Sequence, residues 1–222
     1  WEVEILPTRA PNHAGELARS LAASPPDLLA VCGGDGTVNE IATAVPQPPF
    51  PVAVLPAGTA NVLARELRLP LNPVDALKVA LDGCVRRIDL GSLGAANGRR
   101  FLFVAGVGFD AFVVSQARPA VKARLGIASY IEAIVESLLR YPFPEFLVAA
   151  GERAYTATSC LVCNSKRYGG GLLFCPDADM HDGALDLLIL EGRRRIALAW
   201  FLLMAWMQRP MRGAWIHRIR SG

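Results

Sequence analysis

Between an apolar run ending at Val31 and a helical pattern that follows, the chain reads Cys32-Gly-Gly-Asp-Gly-Thr-Val-Asn-Glu40. Such a run followed by closely spaced glycines and a helix is a strand-to-helix turn, the basic joint of an α/β fold. Gly33, Gly34 and Gly36 keep side chains away from the backbone, so several N–H groups can converge on one point. The positive end of the helix dipole faces the same point, and an anion such as a phosphate suits it. Thr37, with Glu40 three residues later, reads as a capping box, which puts the helix N-cap at Thr37. Asp35 would repel a phosphate unless a divalent cation lay between them, so it reads as a Mg²⁺ ligand, directly or through water. The competing structural reading is a plain tight turn with an acid at the helix start.

A second turn of the same kind strengthens the first. Val52 to Leu55 is a short buried-strand run, followed by Pro56-Ala57-Gly58-Thr59-Ala60-Asn61 and a helix through Leu67. In a parallel sheet both turns emerge at the carboxyl ends of their strands, where open α/β sheets bind ligands.

To about residue 90, strand-like and helical runs alternate: EVEIL, HAGELARSLAA, LLAVC, TVNEIATAV and VAVL. This implies βαβ units and a parallel sheet. A further helix is bounded by Asn72 as N-cap, Pro73 at its first position and Gly83 past its end, and the strand VRRIDL closes the region. From residue 91 to 222 the pattern changes to RFLFVAGVG, EFLVAAG, AYTATSCLVCN and ALDLLIL, joined by turns. This predicts a β-rich second domain, an antiparallel sheet or sandwich. One helix interrupts it, Leu125 to Tyr141, with Ile127, Ile131, Ile134, Val135, Leu138 and Leu139 as a core-packing stripe.

Composition sets the outer bounds. With 52% hydrophobic and 19% charged residues among 222, the chain is globular, and a net charge of +3 does not point to nucleic acid. Five cysteines, an odd number, argue against a disulfide framework and for a reducing compartment. Cys160 and Cys163 have CxxC spacing, but on a strand they face opposite sides, so both read as buried thiols. The apolar run Ile196 to Met207 is shorter than the roughly 20 residues a bilayer-spanning helix needs. The chain opens on a strand-like run without an initiator Met or a leader, and reads as an interior piece.

GGDGTVNE together with LPAGTAN resembles the diacylglycerol kinase catalytic-domain family, which includes sphingosine and ceramide kinases. RRIDLG (Arg86–Gly91), AGVGFDA (Ala105–Ala111), YGGG (Tyr168–Gly171) and PDADMHDGALD (Pro176–Asp186) follow in the family's order, so nearly the whole chain is covered. The resemblance implies an ATP- and Mg²⁺-dependent lipid kinase that phosphorylates a lipid hydroxyl such as that of diacylglycerol or a sphingoid base. It implies an α/β nucleotide-binding domain with a parallel sheet at 1–90 and a β-rich, antiparallel sandwich-like domain at 91–222. ATP contacts carried over from the family are Thr8, Gly33, Gly34, Asp35, Gly36, Thr37, Val38, Asn39, Gly58 and Thr59. The family's metal network has three aspartates, matched by Asp35, by Asp89 and by a position that is Val62 here, a departure that removes one charge. PDADMHDG resembles a segment that holds a second, structural Mg²⁺, with Asp182 as its carboxylate and Asp179 and Ala184 giving carbonyls. A solvated turn is an equal reading for Asp177, Asp179 and Asp186, and Asp110 either lines the lipid site or caps a turn. The family's Asn-Pro-x-x-Gly turn falls before Trp1, and the Asp-Gly-Glu motif with the expected general base falls beyond Gly222.

After Glu191 there is no Asp or Glu, while Arg193, Arg194, Arg195, Arg209, Arg212, Arg218 and Arg220 accompany Trp200, Trp206 and Trp215. That mixture suits an anionic membrane surface, and an equal alternative is a buried helix, Ile196 to Met207, apolar all round and packed in a domain whose remaining strands lie outside this sequence. The expected location is cytoplasmic, with peripheral attachment at the inner membrane face open. Two other functions stay open: an NAD kinase-like enzyme, and a catalytically silent nucleotide- or lipid-binding module, the latter raised by Val62 and the absent base motif.

Overall fold

A computed structural model describes residues 2–94, 99–116, 127–168, 171–192, 195–209 and 216–221, with the side chains of 127–133, 218 and 221 excepted. The chain packs into two units, Trp1–Leu102 and Phe103–Gly222.

In the first unit, β1 (Leu29–Gly33) and β2 (Val52–Pro56) pair in parallel, with Leu29 opposite Val52 and Gly33 opposite Pro56. Helix α1 (His13–Leu21) lies against α2 (Asp35–Ala44), and their closest approach is at Gly15. A Cβ on Gly15 would lie 2.9 Å from the Ala44 Cβ and 3.0 Å from the Glu40 carbonyl oxygen. Ala18, Val31, Val38, Ile41, Ala53 and Leu63 are buried in this unit. A short α3 (Val62–Glu66) follows β2, and then α4 (Pro73–Asp82). The boundaries read for α4 hold: Asn72 Oδ1 accepts from the N–H groups of Val74 at 2.9 Å and Asp75 at 3.3 Å, Pro73 is the first helical residue, and Gly83 follows.

Two expected strands are absent among the described residues. EVEIL is not in a strand, with Val3 77% and Ile5 83% exposed, and VRRIDL does not enter a sheet either. β propensity yields a strand only where a neighbour completes the hydrogen-bond ladder, and neither run is in a ladder with a described strand. A hairpin instead joins β3 (Gly91–Leu93) to β4 (Arg99–Phe101), with the Phe101 ring over Gly91.

In the second unit, β5 (Val104–Gly108), β8 (Ser159–Cys163), β11 (Leu185–Leu190) and β12 (Ile216–Ser221) form an antiparallel sheet in the order β12-β11-β8-β5. A hairpin of β6 (Phe146–Ala150) and β7 (Arg153–Ala157) and a short pair of β9 (Arg167–Tyr168) and β10 (Leu172–Leu173) accompany it. Three helices complete the unit: α5 (Phe109–Gln116), α6 (Ile127–Arg140) and α7 (Arg195–Trp206). Strand alternation sends Leu161, Cys163, Leu188 and Leu190 into a core with Phe109, Tyr141, Phe143 and Phe201. Cys160 and Ile189 join Ala157 in a second cluster. Cys160 and Cys163 therefore diverge, and the close thiol pair is Cys163 with Cys175, sulfur to sulfur 2.8 Å.

The stripe on α6 is narrower than its sequence suggests. Ile134 and Leu138 pack on the core, while Val135 is 54% and Leu139 71% exposed, because each is turned about 100° from its neighbour on the helix. Ile127 and Ile131 lie outside the described side chains.

Candidate nucleotide site

The two glycine turns sit side by side because β1 and β2 are parallel neighbours in register. Gly33 O accepts from the Ala57 N–H at 3.0 Å, tying the start of one turn to the other. Contact is closest between Gly34 and Gly58. A Cβ on Gly58 would lie 2.5 Å from the Gly34 Cα, and one on Gly34 would lie 3.2 Å from the Gly58 Cα. Packing requires glycine at 58, and at 34 a side chain would fit only if the second turn gave way by a few tenths of an ångström.

Gly36 differs: a Cβ there would meet no atom within 4 Å. The space beside it is open.

Helix α2 starts two residues before the expected cap. Gly34 occupies the N-cap position in an extended conformation, and its carbonyl accepts from Thr37 N at 3.1 Å and Val38 N at 3.3 Å. Thr37 is thus already inside the first turn, no side chain caps the helix, and the Thr37 side chain lies against Gly33. The N–H groups of Asp35 and Gly36, the first two helical residues, have no acceptor among the described residues.

Asp35 joins the two turns. Its Oδ1 accepts from the Leu63 N–H at 3.1 Å, in the first turn of α3, and Oδ2 makes no hydrogen bond among the described residues. Val62, at the position of a family aspartate, is 5% exposed and belongs to the core. The second turn is closed by Asn61, in the left-handed conformation with φ 48°. Its Oδ1 accepts from Gly58 N at 2.9 Å and its Nδ2 donates to Gly58 O at 2.8 Å. Residue-type reading missed this role, although an asparagine ahead of a helix start is the signal for it.

Other predicted residues stand further out. Thr8 is exposed in the segment before α1, and Thr59 is exposed at the second turn. Asn39 Oδ1 accepts from Leu102 N at 3.1 Å, and Thr43 donates to Arg100 O at 3.3 Å, so α2 is anchored to the β4 region. Asp89 is half-buried in the segment before β3. Among the described residues no three His, Cys, Asp or Glu side chains cluster at metal-holding spacing. Asp35 is an available oxygen donor beside open space, which fits a cation bridging to phosphate.

In the second unit, Asp182 Oδ1 accepts from Ala184 N at 2.9 Å and its other oxygen pairs with Arg220. Asp179 bonds the His181 backbone N–H at 3.1 Å and the ring Nδ1 at 3.0 Å, and the histidine holds its carboxyl below the usual range. Both Asp182 oxygens are thus engaged, and a second cation at this turn would share the carboxylate with Arg220. Asp110 opens α5 with its carboxylate packed over Gly106, and Tyr168 donates to its Oδ2 at 3.5 Å. Burial pushes the Asp110 carboxyl up to about 6, and the Tyr168 bond partly opposes that.

Two family descriptions match this chain. Residues 1–93 match the diacylglycerol kinase catalytic domain, and residues 104–220 match the YegS C-terminal NAD kinase beta sandwich-like domain. The chain belongs to the diacylglycerol kinase family. A diacylglycerol kinase of Mycobacterium tuberculosis is 35% identical over 192 residues, which cover 84% of this chain and 62% of that protein. A candidate YegS-like lipid kinase of Pseudomonas fluorescens is 34% identical over 205 residues, covering 88% and 66%. A crystal structure of a diacylglycerol kinase from Bacillus anthracis superposes with a TM-score of 0.68 at 25% identity, covering 96% of this chain and 68% of that one. The chain thus spans about 62% of the length of the mycobacterial relative. In this diacylglycerol kinase-family chain the α/β unit precedes the antiparallel unit, as the sequence order of strands and helices requires.

Proposed function

We propose that the chain binds the phosphates of ATP at Gly33 to Gly36 and acts as a lipid kinase, moving the γ-phosphoryl group to a lipid hydroxyl. One observation carries this: two glycine turns held together at Gly34 and Gly58, with two unclaimed helix N–H groups and open space beside Gly36. Phosphoryl transfer depends chiefly on positioning and charge neutralisation, and this arrangement supplies backbone donors for both.

In this reading Gly33, Gly34, Asp35, Gly36, Thr37 and Val38 cradle the phosphates, Gly58 fixes the second turn, and Thr8, Asn39 and Thr59 complete the nucleotide contacts. Asp35, with Asp89 as a second acid, holds Mg²⁺, which when bound offsets charge on the phosphate oxygens. The Leu63 N–H fixes the Asp35 carboxylate so that its other oxygen stays available. The relatives' names support a lipid alcohol, diacylglycerol or a sphingoid base, as acceptor. No described helix is long and apolar enough to cross a membrane. In this reading the lipid acceptor and ATP meet at the cytoplasmic face of the membrane.

The test is transfer of labelled phosphate from ATP-Mg²⁺ to a panel of lipid alcohols by the full-length gene product, with NAD as a competing acceptor and Asp35→Asn beside the parent. Expected is a labelled lipid and at least a hundredfold loss in Asp35→Asn. A labelled dinucleotide alone would make the chain an NAD kinase-like enzyme. Nucleotide binding without any transfer would make it a silent binding module.

A further inference from the structure

Helix α7 has the sequence RIALAWFLLMAW, apolar around its circumference, yet it buries only one face. Leu198, Phe201 and Ala205 enter the core at 6%, 3% and 2% exposure. On the opposite side Ile196 is 86% exposed, Trp200 52% and Leu203 41%, at the i, i+4, i+7 spacing of a single stripe, and Trp206 beside it is 68% exposed. Among the described residues, the buried-helix reading accounts for one face of this helix.

The stripe has a neighbour. α6 packs against α7, and Arg195 at the start of α7 donates through Nε to Leu138 O at 3.1 Å and through Nη2 to Tyr141 O at 3.5 Å. The end of α6 held in this way carries the exposed Val135 and Leu139. Six large apolar side chains on two packed helices thus face outward, a feature that marks an interaction surface.

Charge decides the partner. Arg195 and Arg209, both exposed, bracket the stripe, Arg193 and Arg194 precede it in the chain, and 192–222 contains no Asp or Glu. α6 carries two acids, Glu132 and Glu136, and Glu136 is paired with Arg140 at 2.6 Å, so at most one unpaired acid of α6 stands against the arginines of 192–222. A second copy meeting this face would bring like-charged arginines and no acid from 192–222 to meet them. An anionic bilayer supplies apolar depth for the stripe, an interface for the tryptophans and negative charge for the arginines.

We infer that the outward face of α7, with Val135 and Leu139 of α6, docks on an anionic phospholipid surface. This deepens the lipid-acceptor reading by naming the surface that meets the acceptor's bilayer. The experiment is sedimentation of the 222-residue chain, without nucleotide, with phosphatidylglycerol/phosphatidylcholine vesicles and with phosphatidylcholine alone. Expected are at least tenfold tighter binding to the anionic vesicles, weakened by 0.5 M salt, and a blue shift of tryptophan emission. Ile196→Ser/Trp200→Ser should lose roughly tenfold in vesicle affinity with nucleotide binding unchanged and melting lowered by only a few degrees, because Ile196 is 86% exposed and Trp200 half exposed. Equal affinity for neutral vesicles, no vesicle binding, or a dimer that the double variant dissociates would overturn the inference. Vesicle binding, together with a full-length gene product that phosphorylates no lipid, would leave the docking face standing and remove the lipid-kinase reading instead.

Discussion

Replacing Gly36 by Ala separates a glycine kept for packing from one kept for a ligand. A Cβ at Gly36 touches nothing within 4 Å, its φ is not in the left-handed region, and the residue lies in the first turn of α2. By backbone entropy alone, Gly36→Ala should stabilise the fold by about 0.5–1 kcal/mol, a rise of roughly 1–4 °C in melting temperature. The same methyl group occupies the space through which a phosphate would reach the N–H groups of Asp35 and Gly36. Nucleotide affinity should therefore fall at least tenfold, a loss of about 1.4 kcal/mol or more. Gly58→Ala is the contrasting case: its Cβ would lie 2.5 Å from the Gly34 Cα, so the two turns must part, at a cost of about 1–3 kcal/mol. Thermal melting and titration with a fluorescent ATP analogue on parent and both variants read both quantities. A Gly36→Ala protein that melts higher and binds ATP as tightly as the parent would refute the phosphate site. One that melts lower would refute the packing argument.

Three further outcomes follow from the second unit and the thiols. The Asp110 carboxyl is raised to about 6 by burial, so its contribution is fully present below the unfolded value near 3.8 and is lost as pH rises to about 6. Asp110→Asn should flatten that part of the stability curve and gain roughly 1–3 kcal/mol over the parent above pH 7, measured by urea unfolding from pH 4 to 8; a parallel pair of curves would contradict the burial. Tyr141→Phe removes a bond of 2.6 Å from the hydroxyl to Thr158 O beneath α5 and should cost about 1–2 kcal/mol, checked by the same unfolding assay. Iodoacetamide should modify the exposed Cys32 and Cys84 in the native protein and reach the buried Cys160, Cys163 and Cys175 only after unfolding, which peptide mass mapping would show.

Much of the architecture was legible because it depends on local chemistry. Asn72, Pro73 and Gly83 delimit α4 by capping rules that act within a few residues. Alternation along β8 places Cys160 and Cys163 on opposite faces whatever surrounds them. The strands EVEIL and VRRIDL were misread because a strand needs a partner that its own residues do not name. The N-cap is Gly34 and not Thr37 because the Gly34 carbonyl, and no side chain, begins the ladder. Val135 and Leu139 look like core residues in a periodic pattern, yet which edge of a stripe is covered depends on the neighbouring element.

By itself the sequence determined the order of strand, glycine turn and helix, the presence of two such turns, the antiparallel second half and the family likeness. These rest on backbone sterics and side-chain periodicity, which act over a few residues. Only the tertiary structure decided that Gly34 and Gly58 touch while Gly36 faces open space, and that Asp35 reaches across to the Leu63 amide. It also decided that Asp182 meets Arg220 and that α7 buries one face and exposes the other. These contacts join residues distant in the chain, and their distances are set by the packing of whole elements.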